Sequence, residues 1–275
     1  MEAADAFAQL LAKPEEQIDL ARAALLIARD AYPSVDTESY LRKIDEIAKP
    51  VRSREAASSD PREKIKALSD HLHIGLGFRG NREDYYDPRN SYLNEVLDRR
   101  LGIPISLSLV YIEVAKRAGL TLNGVGLPGR FLVGYRDSAA EVFLDPFDGG
   151  RIIEEAQCRA LVAEVYGASV EFRTEMLAPV TKRQMLFRML NNLKLVYMAR
   201  QEPEAALPVV DKMLMIDSES WIDYRDRGLI RYGLGRHEGA RADLRRYLRA
   251  MPDAPDRPAV EDTLAAIETI LAMLR

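Results

Sequence analysis

The sequence predicts an α+β core extended by helices on both sides, and three observations support that class. Residues 104–118 are apolar nearly all round, the mark of a central buried helix, and short β signals follow at about 121–126, 131–135 and 141–144. Apolar residues recur at three- and four-residue steps through much of 17–72. From Thr181 onward the chain reads as helices whose pattern repeats. These observations divide the chain into a helical N-terminal cap (1–72), an α+β domain (73–177) and an all-α region (178–275).

Within the cap, Ile18, Leu20, Ala21, Ala24, Leu25 and Ala28 place a helix over 17–31. Tyr32-Pro33 ends it, because the residue before proline avoids the α region. Tyr40, Leu41, Ile44 and Ile47 mark a second helix over 37–48, closed by Lys49-Pro50. Helical spacing resumes at Ile65, Leu68 and Leu72 after a polar stretch near 56–61. The pair His71 and His73 has a spacing that suits a metal on a strand, but no further ligand cluster lies nearby, so no metal site is expected. Gly75, Gly77 and Gly80 match the G-x-G-x-x-G spacing without a preceding strand or a βαβ unit. A loop needing positive φ is the expectation there, and no cofactor is expected.

Asp87-Pro88-Arg89-Asn90-Ser91 reads as a turn before a helix carrying Leu93, Val96, Leu97 and Leu101, with Gly102 at its C-terminal stop. Ile103-Pro104 opens the buried helix, since proline in a first turn lacks only an N–H that would be orphaned anyway. Lys116-Arg117 suit its C-terminal dipole end, and Gly119 caps it. Residues 136–140 form a plausible hairpin loop, and Asp145-Pro146-Phe147-Asp148-Gly149-Gly150 ends the last β signal in a turn.

In the C-terminal third, Tyr197 and Tyr232 lie 35 positions apart, and Ala206 and Ala240 lie 34 apart. A helix-turn-helix period near 34 is that of tetratricopeptide repeats, with small residues where paired helices approach. Two such units fall short of the roughly three that stand alone, so the block is expected to lean on a final helix, Val260–Leu274, and on the preceding domain.

A formal charge of −4 supplies no global attraction to nucleic acid or an anionic membrane. No apolar run approaches the roughly 18 to 20 residues of a membrane span. The single cysteine, Cys158, excludes an internal disulfide framework and suits a reducing cytoplasm. The Met1-Glu2-Ala3-Ala4-Asp5 start lacks a basic n-region and an apolar h-region, so no signal peptide is expected.

The motifs Leu20-Ala21-Arg22-Ala23-Ala24-Leu25, Gly77-Phe78-Arg79-Gly80-Asn81, Asp87-Pro88-Arg89-Asn90-Ser91-Tyr92-Leu93-Asn94, Gly102-Ile103-Pro104-Ile105-Ser106-Leu107 and Asp145-Pro146-Phe147-Asp148-Gly149-Gly150 occur in order, followed by Arg225-Asp226-Arg227-Gly228. Together they resemble the bacterial SirB-type family, which joins a transglutaminase-like (papain-like) α+β domain to tetratricopeptide repeats. The resemblance implies that architecture, and a role in regulation rather than a defined reaction. Transglutaminase-type chemistry places a cysteine at the central helix N-terminus, a histidine on the first strand after it and an aspartate on the next. At the matching places this chain has Pro104 to Ser108, Arg130 and Asp145. The family usually reads Pro-Gly-His-Phe-Leu where this chain reads Pro128-Gly129-Arg130-Phe131-Leu132.

That chemistry needs a nucleophile lowered in pKa at a helix N-terminus and an imidazole beside it, oriented by a carboxylate. Ser106 and Ser108 are the hydroxyls near the helix start, and an arginine cannot act as their base because it stays protonated. Cys158 lies far along the chain and reads as a buried apolar residue. No catalytic set is therefore expected, and Arg130 is expected to pair with Asp145. A second reading makes Arg130, Asn90 and Asn94 a donor-rich pocket for a carboxylate or phosphate. A second candidate surface lies between Asp223 and Arg249, where eight arginines face four acids. There Arg225, Arg227, Arg231 and Arg245 are candidates for binding an acidic partner.

The function expected is that of a cytoplasmic, non-catalytic adaptor or regulator that meets a protein partner through its helical repeats. The alternatives are an acyl-transfer hydrolase or transferase rebuilt on Ser106 or Ser108 with Asp145, and an anionic-ligand sensor using the degenerate cleft. Nucleic acid and membrane are not expected partners, and no motif specifies an oligomeric state.

Overall fold

A computed structural model describes residues 3–55, 60–137 and 141–274. The chain divides into two units, residues 13–189 and residues 1–12 together with 190–275. Residues 1–12, expected within the N-terminal cap, thus group with the repeats, while the helices from 20 to 69 group with the sheet.

In the unit spanning 13–189, α2 (Leu20–Ala28) starts at Asp19, whose carboxylate accepts the Arg22 N–H at 3.0 Å and so satisfies one orphan donor. Helix α3 (Thr37–Glu55) follows. It does not close at Lys49-Pro50 as expected but runs through Pro50 for another turn. The missing hydrogen bond is offset by packing, since Ile44, Ala48 and Val51 are buried and the helix lies on the central one. Helix α4 (Pro61–Ser69) is capped by Asp60 and widens into a π-helical turn at Asp70–Gly75. Residues 56–59 of the polar stretch lie outside the described residues. Of the three glycines read as loop points, Gly77 has the positive φ, +80°.

Strand β1 (Arg79–Gly80) pairs in parallel with β2 (Leu101–Gly102), on either side of α5 (Leu93–Arg99). The stop of α5 is Arg100, left-handed at φ 60°, and not Gly102. Gly102 serves another need: a Cβ there would sit 2.7 Å from Ser106 Oγ. Helix α6 (Pro104–Ala118) forms over the expected span with all but Lys116 and Arg117 buried, and ends at Gly119. It packs on an antiparallel sheet of order β3-β4-β5-β6 (Asn123–Val125, Leu132–Arg136, Glu141–Asp145, Arg151–Ile153). The sequence signals anticipated three of these strands. The fourth, Arg151-Ile152-Ile153, is too short for an alternation to show, and its pairing with β5 fixes it. The expected hairpin loop falls partly on 138–140, outside the described residues. Helix α7 (Glu155–Tyr166) then covers an apolar cluster that includes Cys158.

Helix α8 (Lys182–Ala199) runs through the division point. In the other unit, α1 (Ala3–Leu11) packs on α9 (Pro203–Ile216), and α10 (Trp221–Gly233), α11 (His237–Ala250) and α12 (Arg257–Met273) follow in sequence, each against the one before. Ala206 and Ala240, the small residues of the repeat, are fully buried, as close helix approach demands. Among the described residues no helix is long and apolar enough to cross a membrane.

Candidate functional site

Arg130, two residues before β4, meets Asp145, the last residue of β5, and α6 packs on β4 and on the 3-10 turn that follows β5. Ser106, in the first turn of α6, has no exposed surface. Its hydroxyl donates to the Asn90 carbonyl at 2.5 Å and accepts the Ile103 N–H at 3.1 Å. That oxygen therefore ties a loop to a helix start, and it is occupied. Ser108 is equally buried, with its hydroxyl unpartnered.

Asp145 ends β5 and caps the 3-10 turn Pro146–Asp148. Its Oδ1 accepts the N–H groups of Phe147 (3.0 Å) and Asp148 (3.2 Å). Its Oδ2 takes Nε and Nη2 of Arg130, both at 2.8 Å. The carboxylate is fully buried and has four donors, so the expected Arg130–Asp145 ion pair is present. The guanidinium also lies 5.3 Å from the centre of the Phe147 ring. The chain turns back after this cap through Gly150, at φ +67°, where a Cβ would fall 1.9 Å from Ser69 Oγ.

The two asparagines part company. Asn90 is fully buried and organises its own loop: Nδ2 donates to the carbonyls of Asp84 (2.7 Å) and Tyr85 (3.2 Å), and Oδ1 accepts from Asn81 at 3.0 Å. Asn94 lines a different surface pocket, with Tyr32, Asp36, Tyr40 and Asp98. Neither presents a donor beside Arg130. Two of the three imidazoles are likewise engaged elsewhere, His71 with the Ile47 carbonyl and His73 with the Phe78 carbonyl, each at 3.0 Å, and the third, His237, lies in the repeat unit. Burial pushes the Cys158 thiol up to about 11, the opposite of an activated nucleophile. No group of three or more potential metal ligands occurs among the described residues.

One residue that sequence reasoning did not single out belongs to this site. Arg188 of α8 donates Nη2 to the Arg130 carbonyl at 3.0 Å and lies 5.1 Å from the centre of the Phe131 ring. Among the described residues it has no carboxylate partner. Burial pulls its pKa down, and the groups that oppose this are the phenols of Tyr85 and Tyr166, which are uncharged at neutral pH. The rings of Tyr85, Tyr86 and Phe147 stand edge to face alongside, with centroids 5.3 and 5.8 Å apart. The available signal was a cation at the edge of the apolar stripe Met185, Leu186, Met189 and Leu190.

The arginine-rich block is largely occupied from within. Arg225 pairs with Asp226 (2.7 Å) and Asp256 (2.6 Å). Asp243 receives both Arg227 and Arg231 at 2.8 Å, and Asp211 on α9 receives the same two at 2.8 and 3.3 Å. Arg245 meets Glu268 at 2.6 Å on the surface. Beneath them Lys194 is buried between Asp223 (2.7 Å) and Asp226 (2.8 Å). Burial opposes the Lys194 charge, but the two carboxylates outweigh it and raise its pKa.

Comparison with known proteins bears on both regions. The profile of the transglutaminase-like superfamily matches residues 38–191, and a tetratricopeptide repeat profile matches 193–265. A UPF0162 protein of Xylella fastidiosa (strain 9a5c) is 39% identical over 241 residues, covering 86% of each chain. A UPF0162 protein of Pseudomonas aeruginosa is 31% identical over 246 residues, covering 88% of each. The F-box only protein 21 of Mus musculus is 33% identical over 137 residues, 47% of this chain and 21% of that protein. No solved structure matches.

Proposed function

The chain belongs to the UPF0162 family, with a transglutaminase-like domain and tetratricopeptide repeats, and from that membership we propose that it is a non-catalytic adaptor or regulator acting through protein–protein contact. One observation carries the reading. On α8 and α10, helices joined through Lys194 and its two aspartates, Leu195, Met198, Ile222 and Leu229 are exposed at 56%, 42%, 52% and 36%. Residues 195 and 198, and 222 and 229, share a helix face by spacing, so each helix presents a pair of apolar side chains to solvent. Such side chains are suited to the apolar side of a partner helix. Arg225, Arg227 and Arg231 are held by carboxylates of this chain, which favours a contact apolar at its centre over an acidic peptide on a basic groove. A reducing cytoplasm suits the buried Cys158.

The non-catalytic part of the reading rests on the state of the cleft. Ser106 is a structural tie, and Asp145 orients an arginine where the transglutaminase scheme needs it to orient a base. The test uses the full chain. Capture of a partner by the wild type, and its loss from a Leu195→Glu/Ile222→Glu variant of unchanged melting temperature, is the expected result. Retention by that variant moves the interface off these helices. Labelling of the wild type by a serine-directed phosphonate probe, abolished in Ser106→Ala or Ser108→Ala, would overturn the non-catalytic reading in favour of the rebuilt hydrolase.

A further inference from the structure

The cleft of the transglutaminase-like domain has one positive charge too many. Arg130 and Asp145 neutralise one another at 2.8 Å. Arg188, beside them, has no such partner among the described residues. Its one hydrogen bond goes to a backbone carbonyl, and one face lies over Phe131. A guanidinium has five N–H donors in a planar fork, so most of its hydrogen-bonding capacity is unanswered by the chain. A partly buried cation is costly unless it is paired, and what would pair it carries a single negative charge. A planar carboxylate fits both the charge and the fork.

The surroundings say what such a carboxylate is attached to. Tyr85, whose ring meets that of Phe147 beside Arg130, and Tyr166, which follows Val165 in the chain, are exposed at 42% and 41%. Tyr86 and Val165 add exposures of 72% and 56%, and Val165 lies against Gly129, next to Arg130. Large apolar side chains are thus grouped at the surface around the unpaired charge. The Tyr85 phenol is protonated at neutral pH and can donate, and burial raises its pKa further.

We propose that Arg188 is the anchor of a binding site for an aromatic or apolar monocarboxylate, whose carboxylate meets the guanidinium fork and whose body rests against Tyr85 and Tyr166. Arg130 is then a positioning residue, because its carbonyl holds Arg188. The proposal does not depend on the repeat surface, and failure of the adaptor reading leaves it untouched.

The full chain is titrated by calorimetry with N-acetylphenylalanine and with N-acetylphenylalaninamide, which keeps the ring and lacks the charge. The expected result is saturable one-to-one binding of the acid, weakened about ten-fold or more in the amide, the scale of a charge-assisted fork. Arg188→Gln is expected to weaken the acid to the level of the amide, and Arg188→Lys, which keeps the charge without the fork, to fall between. Equal binding of acid and amide, no binding of the acid, or an undiminished Arg188→Gln that melts like the wild type overturns the proposal. The acid–amide comparison needs no variant, so a poorly folding Arg188→Gln does not shield it. Acetyl-Gly-Gly-Phe run alongside separates the two sources of such a group: tighter binding than N-acetylphenylalanine assigns it to a polypeptide C-terminus, weaker binding to a free small acid.

Discussion

Arg225, Arg227 and Arg231 in the repeat unit and Arg188 in the cleft meet opposite surroundings. Residues 223–249 hold eight arginines against four acids, yet Arg225, Arg227 and Arg231 all end on aspartates. The cleft holds fewer cations, yet Arg188 is left without a carboxylate. The difference lies in what faces each group. In the repeats, neighbouring helices bring Asp211, Asp243 and Asp256 to the arginines. In the cleft the facing surfaces are Phe131, Phe147 and a strand end whose one acid, Asp145, is taken by Arg130. Charge density along a chain is therefore a poor guide to free charge in space.

The comparison breaks most sharply at Lys194. Lys194→Met leaves Asp223 and Asp226 buried together, Asp223 with the Ser220 hydroxyl as its one remaining side-chain donor and Asp226 with Arg225 alone. Removing one member of a buried pair costs about 3–5 kcal/mol, and that loss is expected in the denaturant midpoint at unchanged slope. A loss under about 1 kcal/mol would mean that water reaches the aspartates, and the repeats would then be no more closed than the cleft.

Much of this was legible beforehand, and the exceptions have causes. The central helix was readable because its apolar residues run all round it, and its proline start and glycine end mark both limits. The Arg130–Asp145 pair was readable because the two residues flank paired strands. Pro50 misled because burial on the central helix outweighed a local rule, and Gly102 because its role is close approach to Ser106 rather than a helix stop. Asn94 was grouped with Asn90 by proximity in sequence, but the chain turns between them and sends the two side chains to different surfaces. The state of Arg188 could not be read at all, because being unpaired depends on residues far away in the chain.

A gentler break is expected at Arg130. Arg130→Met removes two hydrogen bonds from Asp145, but the N–H groups of Phe147 and Asp148 remain on the other oxygen. The expected loss is about 2–3 kcal/mol, below that of Lys194→Met, because the orphaned carboxylate keeps half its donors. A cycle with Asp145→Asn should give a coupling of about 1–3 kcal/mol by chemical denaturation. Coupling near zero would remove the neutralised pair from the cleft and return Arg130 to the role of free donor beside Arg188.

The smallest effect is expected at Arg245. Its 2.6 Å contact with Glu268 looks as good as the inner pairs, but both side chains are about half exposed. Water solvates either partner when the other is removed, and the contact must hold two long side chains still. Arg245→Ala should therefore shift stability by no more than about 0.5 kcal/mol. A shift above about 1.5 kcal/mol in the same denaturation assay would show that Arg245 shares in the inner network, and burial would no longer separate the tied arginines of the repeats from the solvated one at their edge.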